Sequence, residues 1–210
     1  MNVLAIGAHF DDIELGCGGT VARHVRNNDT VYMHILTDSG YGTHNGKVLR
    51  TSEDAAREGK DAAKILGVEH LICEGLPTKK LPHVDDLVER INKVIDDNNI
   101  QCIYTHWLHD VNQDHAAAGR ATLTAARHVP RVLMYRSNWY GTDSPFRMNY
   151  YVDISKFIDI KIRAIKAHKT EYQKFGERWV DFVKHQNRNN GIEMEIDFAE
   201  AFEMIKYLQE

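Results

Sequence analysis

The chain alternates short apolar runs with longer segments of helical periodicity through its first two thirds. Five apolar runs predict buried strands, at residues 2–8, 30–36, 71–73, 102–105 and 132–135. The segments between them predict helices, which run from the glycines at 16, 18 and 19 to about residue 28, over 51–66 up to Gly67, over 84–98, and through an alanine-rich stretch to residue 128. Strands that alternate with helices are typical of a parallel sheet covered on both faces. The predicted fold is therefore α/β, a Rossmann-like three-layer sandwich with a mostly parallel sheet.

The last third of the chain has a less regular pattern. Apolar residues at positions 154, 157, 158, 162 and 165 predict one amphipathic helix, and a second helix is expected around residues 178–186. Residues 198–208 fit either a strand or a helix, and the polar segment 37–46 is expected to be a loop. Because the sequence has no internal repeat and no linker-like stretch, we expect one domain over residues 1–210.

The composition is that of an ordinary globular protein, with 43% hydrophobic and 27% charged residues. A net charge of −4 excludes an electrostatic argument for binding nucleic acid. Cys17, Cys73 and Cys102 lie far apart in the sequence, which favours reduced thiols over a disulfide framework. The chain begins with a strand-like run and contains no apolar stretch long enough to span a membrane. We therefore expect a cytoplasmic protein with neither a nucleic-acid nor a membrane partner.

Two polar clusters follow predicted strands, at residues 8–14 and 106–115. In a doubly wound sheet, reactive groups collect at the carboxyl ends of the strands. A catalytic zinc site needs three nitrogen or oxygen ligands and an open position. His9, Asp12 and a histidine of the second cluster can supply those ligands, and Asp11 can act as general base. Taken alone, the Asp11–Asp12 pair also fits a helix N-cap, and a single histidine also fits a structural role.

The same clusters resemble motifs of a known family. The segment Ala8-His9-Phe10-Asp11-Asp12, followed by Glu14 to Thr20, resembles the Ala-His-Pro-Asp-Asp signature of the LmbE-like, or PIG-L, deacetylases. Residues 109–115 resemble the second motif of that family, which usually ends in His-x-Asp-His. Residues 151–154 and 167–169 are similar to later segments of its bacterial members, so the resemblance covers nearly the whole chain.

The resemblance implies a zinc-dependent N-deacetylase that acts on an amino sugar, a nucleotide sugar or a related glycoconjugate. It implies His9, Asp12 and His115 as the zinc ligands and Asp11 as the general base. Asp114 is similar to the aspartate that orients the second-motif histidine. Other divalent metals, iron(II) among them, are compatible with the same ligands.

Two positions depart from the pattern of the family. Phe10 stands where proline is usual, and Asn112 stands where a histidine usually stabilises the oxyanion or donates a proton. The amide of Asn112 can donate a hydrogen bond to an oxyanion but cannot act as an acid near neutral pH. His109 is a candidate substitute for the proton donor, although the sequence fits an exposed loop histidine equally well.

The substrate-binding candidates are an arginine and two tryptophans. Arg50 and Arg57 both lie near the start of the second helix, where the family has a substrate-binding arginine, and Arg50 is favoured. Trp107 and Trp139 follow predicted strands and could stack on the apolar face of a sugar ring. Both tryptophans also fit a buried core position.

Three other interpretations stay open at this stage. The same site could serve an N-deformylase or another hydrolase of small amides. A non-catalytic Rossmann-like protein that binds a nucleotide sugar is the alternative from another class, although the glycines at 16, 18 and 19 do not match the GxGxxG pattern. A homo-oligomer is compatible with the sequence, which does not decide the oligomeric state.

Overall fold

A computed structural model describes residues 1–81 and 85–209 of the chain. Its nine strands in the described residues are β1 (Asn2–Gly7), β2 (Thr30–Thr37), β3 (Tyr41–Gly42), β4 (Val48–Arg50), β5 (His70–Leu76), β6 (Cys102–His106), β7 (Arg131–Tyr135), β8 (Tyr150–Asp153) and β9 (Ala199–Tyr207). Its α-helices are α1 (Asp12–Arg26), α2 (Ser52–Leu66), α3 (Asp85–Asp97), α4 (Gln113–Ala125), α5 (Ile158–Ala167), α6 (Lys169–Phe175) and α7 (Glu177–Glu193). A 3₁₀ turn, Ala126–His128, extends α4.

Seven of the strands form one sheet in the order β5-β2-β1-β6-β7-β9-β8. The strands from β5 to β7 are parallel, whereas β9 runs antiparallel to both β7 and β8. The chain order of the parallel strands reverses between β1 and β6, so the loops after these two strands border the crevice where ligands bind in this class of sheet.

Both faces of the sheet are covered, as β1 shows. Val3 and Ala5 point to a core shared with α1, α2 and α5, whereas Leu4 and Ile6 point to a core shared with α3 and α4. All four side chains are fully buried. A strand that is buried on both faces has a continuous apolar sequence, which is why the apolar runs located the parallel strands. The predicted three-layer α/β sandwich is confirmed.

The first helix begins at Asp12, before the glycines that were expected to open it. Cys17 has a non-helical backbone, with φ −143° and ψ 19°, and kinks the helix. The amides of Gly19 and Thr20 donate to the carboxylate of Glu200 at 2.9 and 2.7 Å. The Lys161 Nζ donates to the Leu15 carbonyl at 2.8 Å and to Glu200 at 2.5 Å. A buried ion pair therefore replaces the helical hydrogen bonds that the kink breaks.

Several elements differ from the predicted pattern. The expected loop 37–46 contains β3, which pairs with β4 in a short hairpin. The strand β8 was not predicted, and the ambiguous segment 198–208 contains β9. The helix expected to start at Val84 begins at Asp85, and Val84 itself lies outside the described residues. No helix among the described residues is both long and apolar enough to cross a membrane.

Candidate active site

A cavity of about 210 Å³ opens at the carboxyl ends of β1, β2, β6 and β7. Both polar clusters of the sequence contribute to its wall. The residues that line it are His9, Asp11, Asp12, Leu15, Ser39, Tyr41, Arg50, Thr78, Lys79, Asn112, Asp114, His115, Ser137, Asn138, Trp139, Tyr140, Glu171, Lys174, Phe175 and Trp179. The structure thus brings together the two clusters that the sequence places about 100 residues apart.

Three side chains of this wall converge as a metal-ligand set would. The Nδ1 of His9 lies 3.2 Å from the Nε2 of His115 and 3.3 Å from the Oδ2 of Asp12. The Nε2 of His115 lies 3.1 Å from the Oδ1 of Asp12. Tetrahedral zinc, with bonds of about 2.0–2.1 Å, holds its ligand atoms roughly 3.3 Å apart. Two histidines and a carboxylate also suit zinc chemically, so the residues present fit the ion.

The charges around this set favour a cation. Burial disfavours the charged form of His9, but hydrogen bonds to Asp114 and Asp12 outweigh burial and raise its pKa to about 9. Burial also opposes the charged form of His115, but the charge of Asp12 and a hydrogen bond to Asp110 raise its pKa to about 10. Burial would raise the pKa of Asp12, yet His115 and His106 hold it well below its ordinary value. The carboxylates therefore stabilise positive charge at this point.

A carboxylate contacts the far ring nitrogen of each histidine. The Nε2 of His9 lies 3.0 Å from Asp114, and the Nδ1 of His115 lies 3.1 Å from Asp110. Such outer carboxylates fix the tautomer and orientation of metal-binding histidines. The prediction that Asp114 orients a histidine of its own motif is not met, because its carboxylate contacts His9 of the first motif. Asp110, which the sequence analysis did not single out, holds His115.

The two outer carboxylates are themselves held in place. Asp114 accepts hydrogen bonds from the backbone amides of Lys79 and Leu81 at 2.6 and 3.1 Å. Asp110 accepts from the side-chain amide of Asn138 at 2.8 and 2.9 Å. Lys79 and Leu81 follow β5 and Asn138 follows β7, so the segments after β5, β6 and β7 together orient the two histidines.

A second histidine–carboxylate group, made of His106, Asp110 and His115, also has closely spaced ligand atoms. His106 is fully buried below the cavity, with its Nε2 3.0 Å from the amide nitrogen of Ala8 and 3.1 Å from Asp12. A catalytic metal needs a position open to substrate, which this buried group lacks. His106 instead supports Asp12 from beneath.

Asp11 faces the cavity beside the convergent set. It precedes α1 with φ 118°, a backbone conformation that is uncommon for a residue other than glycine. Strain of this kind clusters at functional sites, where the surrounding structure enforces it. Burial and the neighbouring charge of Asp12 raise the pKa of Asp11 to about 7. The side chain is therefore a carboxyl group that exchanges protons near neutral pH.

Arg50 lies behind Asp11 and also lines the cavity. It is buried, its Nη1 donates to the carbonyl of Phe10 at 3.1 Å, and the same atom lies 3.9 Å from Asp11. Its Nη2 donates to Glu58 at 3.2 Å. Arg57 is exposed and pairs with Asp54. Of the two arginine candidates, only Arg50 reaches the cavity.

The phenylalanine that replaces the usual proline has a specific place. The amide of Phe10 donates to the Oγ of Ser39 at 2.8 Å, a hydrogen bond that proline cannot make. Its buried ring packs on Gly59 of α2, where a Cβ atom would lie 2.1 Å from the ring. Phe10 and Gly59 are therefore matched, and the loop keeps its course without proline.

Asn112 is the N-cap of α4 and lines the cavity. Its Oδ1 accepts a hydrogen bond from the amide of Asp114 at 2.9 Å. An asparagine amide has one acceptor oxygen and an NH₂ donor. Since the oxygen is engaged by the helix, the NH₂ group is the part of the side chain left to face the cavity.

Two other candidates lie elsewhere. The cavity-lining residues in the described part of the chain include neither His109 nor Trp107. His109 is exposed, and its ring packs against Trp107 with centroids 5.3 Å apart. Trp107 is 1% exposed and packs against Phe146. His109 is thus misplaced for a proton donor and Trp107 is a core residue, whereas Trp139 lines the cavity as expected.

Sequence reasoning missed a group of cavity residues from outside the two motifs. The hydroxyl of Tyr41 donates to Glu171 at 2.6 Å, and the Nζ of Lys174 donates to Tyr41 at 2.8 Å. Phe175 stacks edge-on against Trp139, with centroids 5.5 Å apart. These residues come from β3 and α6, and the resemblance of residues 167–169 was the only signal near them.

The chain is similar in sequence to the proteins of a known family. The sequence profile of the PIG-L family, described as GlcNAc-PI de-N-acetylase, matches residues 4–126. The uncharacterised deacetylase YaiS of Escherichia coli K12 is 30% identical over 177 residues, which are 80% of this chain and 90% of the relative. Diacetylchitobiose deacetylase of Thermococcus kodakarensis is 29% identical over 207 residues, covering 87% of this chain and 74% of its own.

The fold occurs with more than one chemistry. The structure of GalB, the 4-carboxy-2-hydroxymuconate hydratase of Pseudomonas putida KT2440, matches with a TM-score of 0.82 at 18% identity, over 100% of this chain and 98% of its own. A likeness at this level of identity concerns the fold alone, and activity has to be argued from the site. The profile match, by contrast, includes both motifs and more than half of the sequence, and on that ground the chain belongs to the PIG-L family of de-N-acetylases.

Proposed function

We propose that this protein is a zinc-dependent N-deacetylase that hydrolyses the acetamide of an amino sugar, a nucleotide sugar or a related glycoconjugate. The observation that carries the proposal is the convergence of His9, Asp12 and His115 on one point of the cavity wall, with Asp11 beside them. The deacetylase names of the relatives support the reaction class.

The reaction assigned to these residues is amide hydrolysis. His9, Asp12 and His115 would hold the zinc ion, and the chemistry it would supply there is that of a Lewis acid, which polarises the acyl group and lowers the pKa of water. Asp11 takes the proton of the attacking water, because it is the carboxyl group that faces the cavity beside the ligand set. Asn112 donates a hydrogen bond from its NH₂ group to the developing oxyanion.

The leaving amine requires a proton. His109 is exposed and outside the cavity, so we assign this transfer to Asp11, which returns the proton that it took from water. One carboxyl group then acts as base and acid in turn, and Asn112 contributes a hydrogen bond without a proton.

The aromatic side of the cavity supports a sugar as the substrate. Trp139, Tyr140 and Phe175 line the cavity, and Trp139 also contacts Phe182. The apolar face of a pyranose ring packs on such surfaces. Arg50 and Lys174 offer donors to the hydroxyls or to an acidic substituent of the sugar.

A panel of N-formyl, N-acetyl and longer N-acyl derivatives of glucosamine tests the proposal. Release of free amine, fastest from the acetyl compound, is the expected result. A preference for the formyl compound would favour the deformylase alternative. Binding of a nucleotide sugar without amine release from any member of the panel would favour the non-catalytic alternative and contradict the proposal.

A further inference from the structure

A second cavity, of about 330 Å³, opens at the amino ends of β6 and β7, whose carboxyl ends border the catalytic cavity. Its wall is formed by the second half of α1 and by residues of β6, β7, β8 and β9. The residues that line it include Arg23, Asn27, Tyr104, Arg131, Tyr150 and Tyr207. None of these residues lines the catalytic cavity, so the two cavities are separate.

Arg131 is the unusual residue of this cavity. It is the first residue of β7 and is only 8% exposed. Its guanidinium lies over the ring of Tyr207, 5.6 Å from the ring centroid. Across residues 1–81 and 85–209, its side chain has no carboxylate partner and no hydrogen-bond acceptor. Its guanidinium is open to the cavity and not sealed in the core. A cation that is largely removed from water and has no anionic partner is costly, which favours an anion in this cavity.

The acidic groups around the cavity are already engaged. The Oδ2 of Asp29 lies 2.7 Å from the Nδ1 of His24. The carboxylate of Asp153 accepts from the amide and hydroxyl of Ser155 at 2.9 and 2.7 Å. Arg23 donates to the carbonyl of Asp153 at 2.8 Å through one nitrogen only, so the rest of its guanidinium stays available. Arg23 and Arg131 therefore give the cavity two cationic donors.

The shape of the wall suits a small molecule more than a bare ion. The rings of Tyr150 and Tyr207 lie 5.3 Å apart and form an aromatic surface beside the guanidinium of Arg131. The hydroxyl of Tyr104 lies 3.0 Å from the Nε2 of His24, which fixes a further polar group at the base of the cavity. Arginine binds the oxygens of phosphate and carboxylate groups in a two-pronged geometry.

We propose that this cavity is a second ligand site, which binds a small molecule through a phosphate or carboxylate group held by Arg131 with the help of Arg23. The site is independent of the catalytic cavity and of the metal. Its recognition group is an oxyanion, and the tyrosines accommodate the part of the ligand that carries it.

The test is a titration of the full-length protein with inorganic phosphate and, separately, with acetate at low ionic strength. Binding is followed through the arginine Nε–Hε signals in ¹⁵N NMR spectra and by isothermal titration calorimetry. Saturable binding of either anion that shifts the signal of Arg131 supports the site, and the anion that binds identifies the group it prefers. Loss of a charged hydrogen-bond partner should weaken binding about tenfold or more in Arg131→Gln.

Two further variants make the result decisive. Arg131→Lys keeps the charge but loses the planar fork, so an intermediate affinity is expected; it also serves if Arg131→Gln does not fold. Arg26→Gln, which removes an exposed arginine at the end of α1, the helix that carries Arg23, should bind as the wild type does. Equal binding by wild type and Arg131→Gln would overturn the proposal. So would the absence of binding together with an Arg131-dependent dimer in light scattering, because a second copy would then supply the anion.

Discussion

The Oδ2 of Asp110 lies 3.1 Å from the Nδ1 of His115. The other ring nitrogen of His115, Nε2, faces His9 and Asp12. In the neutral ring that a metal requires, a proton on Nδ1 that is donated to Asp110 leaves the Nε2 of His115 free to face the convergent set. A histidine can bind a metal only through an unprotonated nitrogen. Asp110 therefore sets the tautomer that the proposed zinc site requires.

Asp110→Asn is expected to weaken zinc binding by about 10–100-fold, the usual effect of losing an outer carboxylate. The affinity is measured by competition with a chromophoric chelator. Asp143→Asn, in an exposed loop, is the matched control and should bind zinc as tightly as the wild type does. Equal affinities in all three proteins would contradict the role of Asp110.

Asp11→Asn should lower kcat by about 10²–10⁴-fold, because it removes the proposed general base. Zinc content should not change, since Asp11 is not in the ligand set. The measurements are amine release and metal analysis of the same preparation. Full activity in this variant would show that another group activates the water.

Asp11→Gly tests the backbone strain at position 11 separately from the role of the carboxyl group in the reaction. Glycine adopts a positive φ freely, so this variant should be more stable than the wild type by about 1 kcal/mol while remaining inactive. Chemical denaturation gives the free energy of unfolding, with Asp11→Asn as the control that keeps the strained backbone. A lower stability for the glycine variant would show that the φ of 118° is not costly here.

Asn112→Ser tests the proposed oxyanion donor. Serine keeps the N-cap of α4 but is too short to carry a donor as far into the cavity, so kcat should fall by about 10²-fold with little loss of stability. Asn112→Ala should lose the same activity and also about 1 kcal/mol of stability. An unchanged kcat in the serine variant would remove Asn112 from the reaction.

The buried pair of Lys161 and Glu200 is expected to matter for stability. Lys161→Met leaves the fully buried Glu200 without its cation and should cost about 3–5 kcal/mol, whereas the double change Lys161→Met with Glu200→Gln should cost much less. Lys93→Met breaks the exposed pair with Asp97 and should cost less than about 1 kcal/mol. Thermal unfolding of the four proteins checks this order, and similar costs for Lys161→Met and Lys93→Met would contradict it.

The environment of Glu74 leads us to expect that the protein loses stability at acid pH. A hydrogen bond from His34 and another from Arg90 lower the pKa of Glu74 to about 2, from an ordinary value of 4.5. A carboxylate whose pKa is lowered by folding stabilises the protein above its unfolded pKa, and that stability is lost as the pH falls towards its folded pKa. Stability should therefore decrease between pH 4.5 and about 2, and decrease less steeply in Glu74→Gln. Urea unfolding at several pH values measures both slopes, and identical slopes would contradict the assignment.

The central parallel strands β1, β2, β6 and β7 could be predicted because they are largely buried and therefore mostly apolar, whereas only residues 71–73 of the partly buried edge strand β5 were located. The strands β8 and β3 could not be predicted, since both are short and only partly buried. Glu200 was equally hidden from prediction. It lies in a segment of ambiguous pattern, and its role comes from a contact with α1 about 180 residues away.

The residues of the candidate site also differ in how far the sequence predicts them. His9, Asp11 and Asp12 were predictable because they follow one strand in a single motif. Asp110 lies only five residues before His115, but the sequence does not show that its carboxylate turns to the ring of that histidine. Asn138 was not predictable because it reaches Asp110 only where the loops after β6 and β7 meet. Trp107 and His109 lie in the loop before α4, the helix that carries His115, yet they face away from the cavity, since residues close in sequence do not have to face the same side.

Zinc content is the most direct test of the central claim, that His9, Asp12 and His115 form a catalytic metal site. Protein prepared without chelators should contain about one zinc ion per chain, lose amine release on chelation, and recover it when zinc is added back. His115→Ala should lose both metal and activity, whereas His109→Ala should keep both. Metal-free protein that hydrolyses the acetamide, or His115→Ala that retains zinc at wild-type occupancy, would contradict the account.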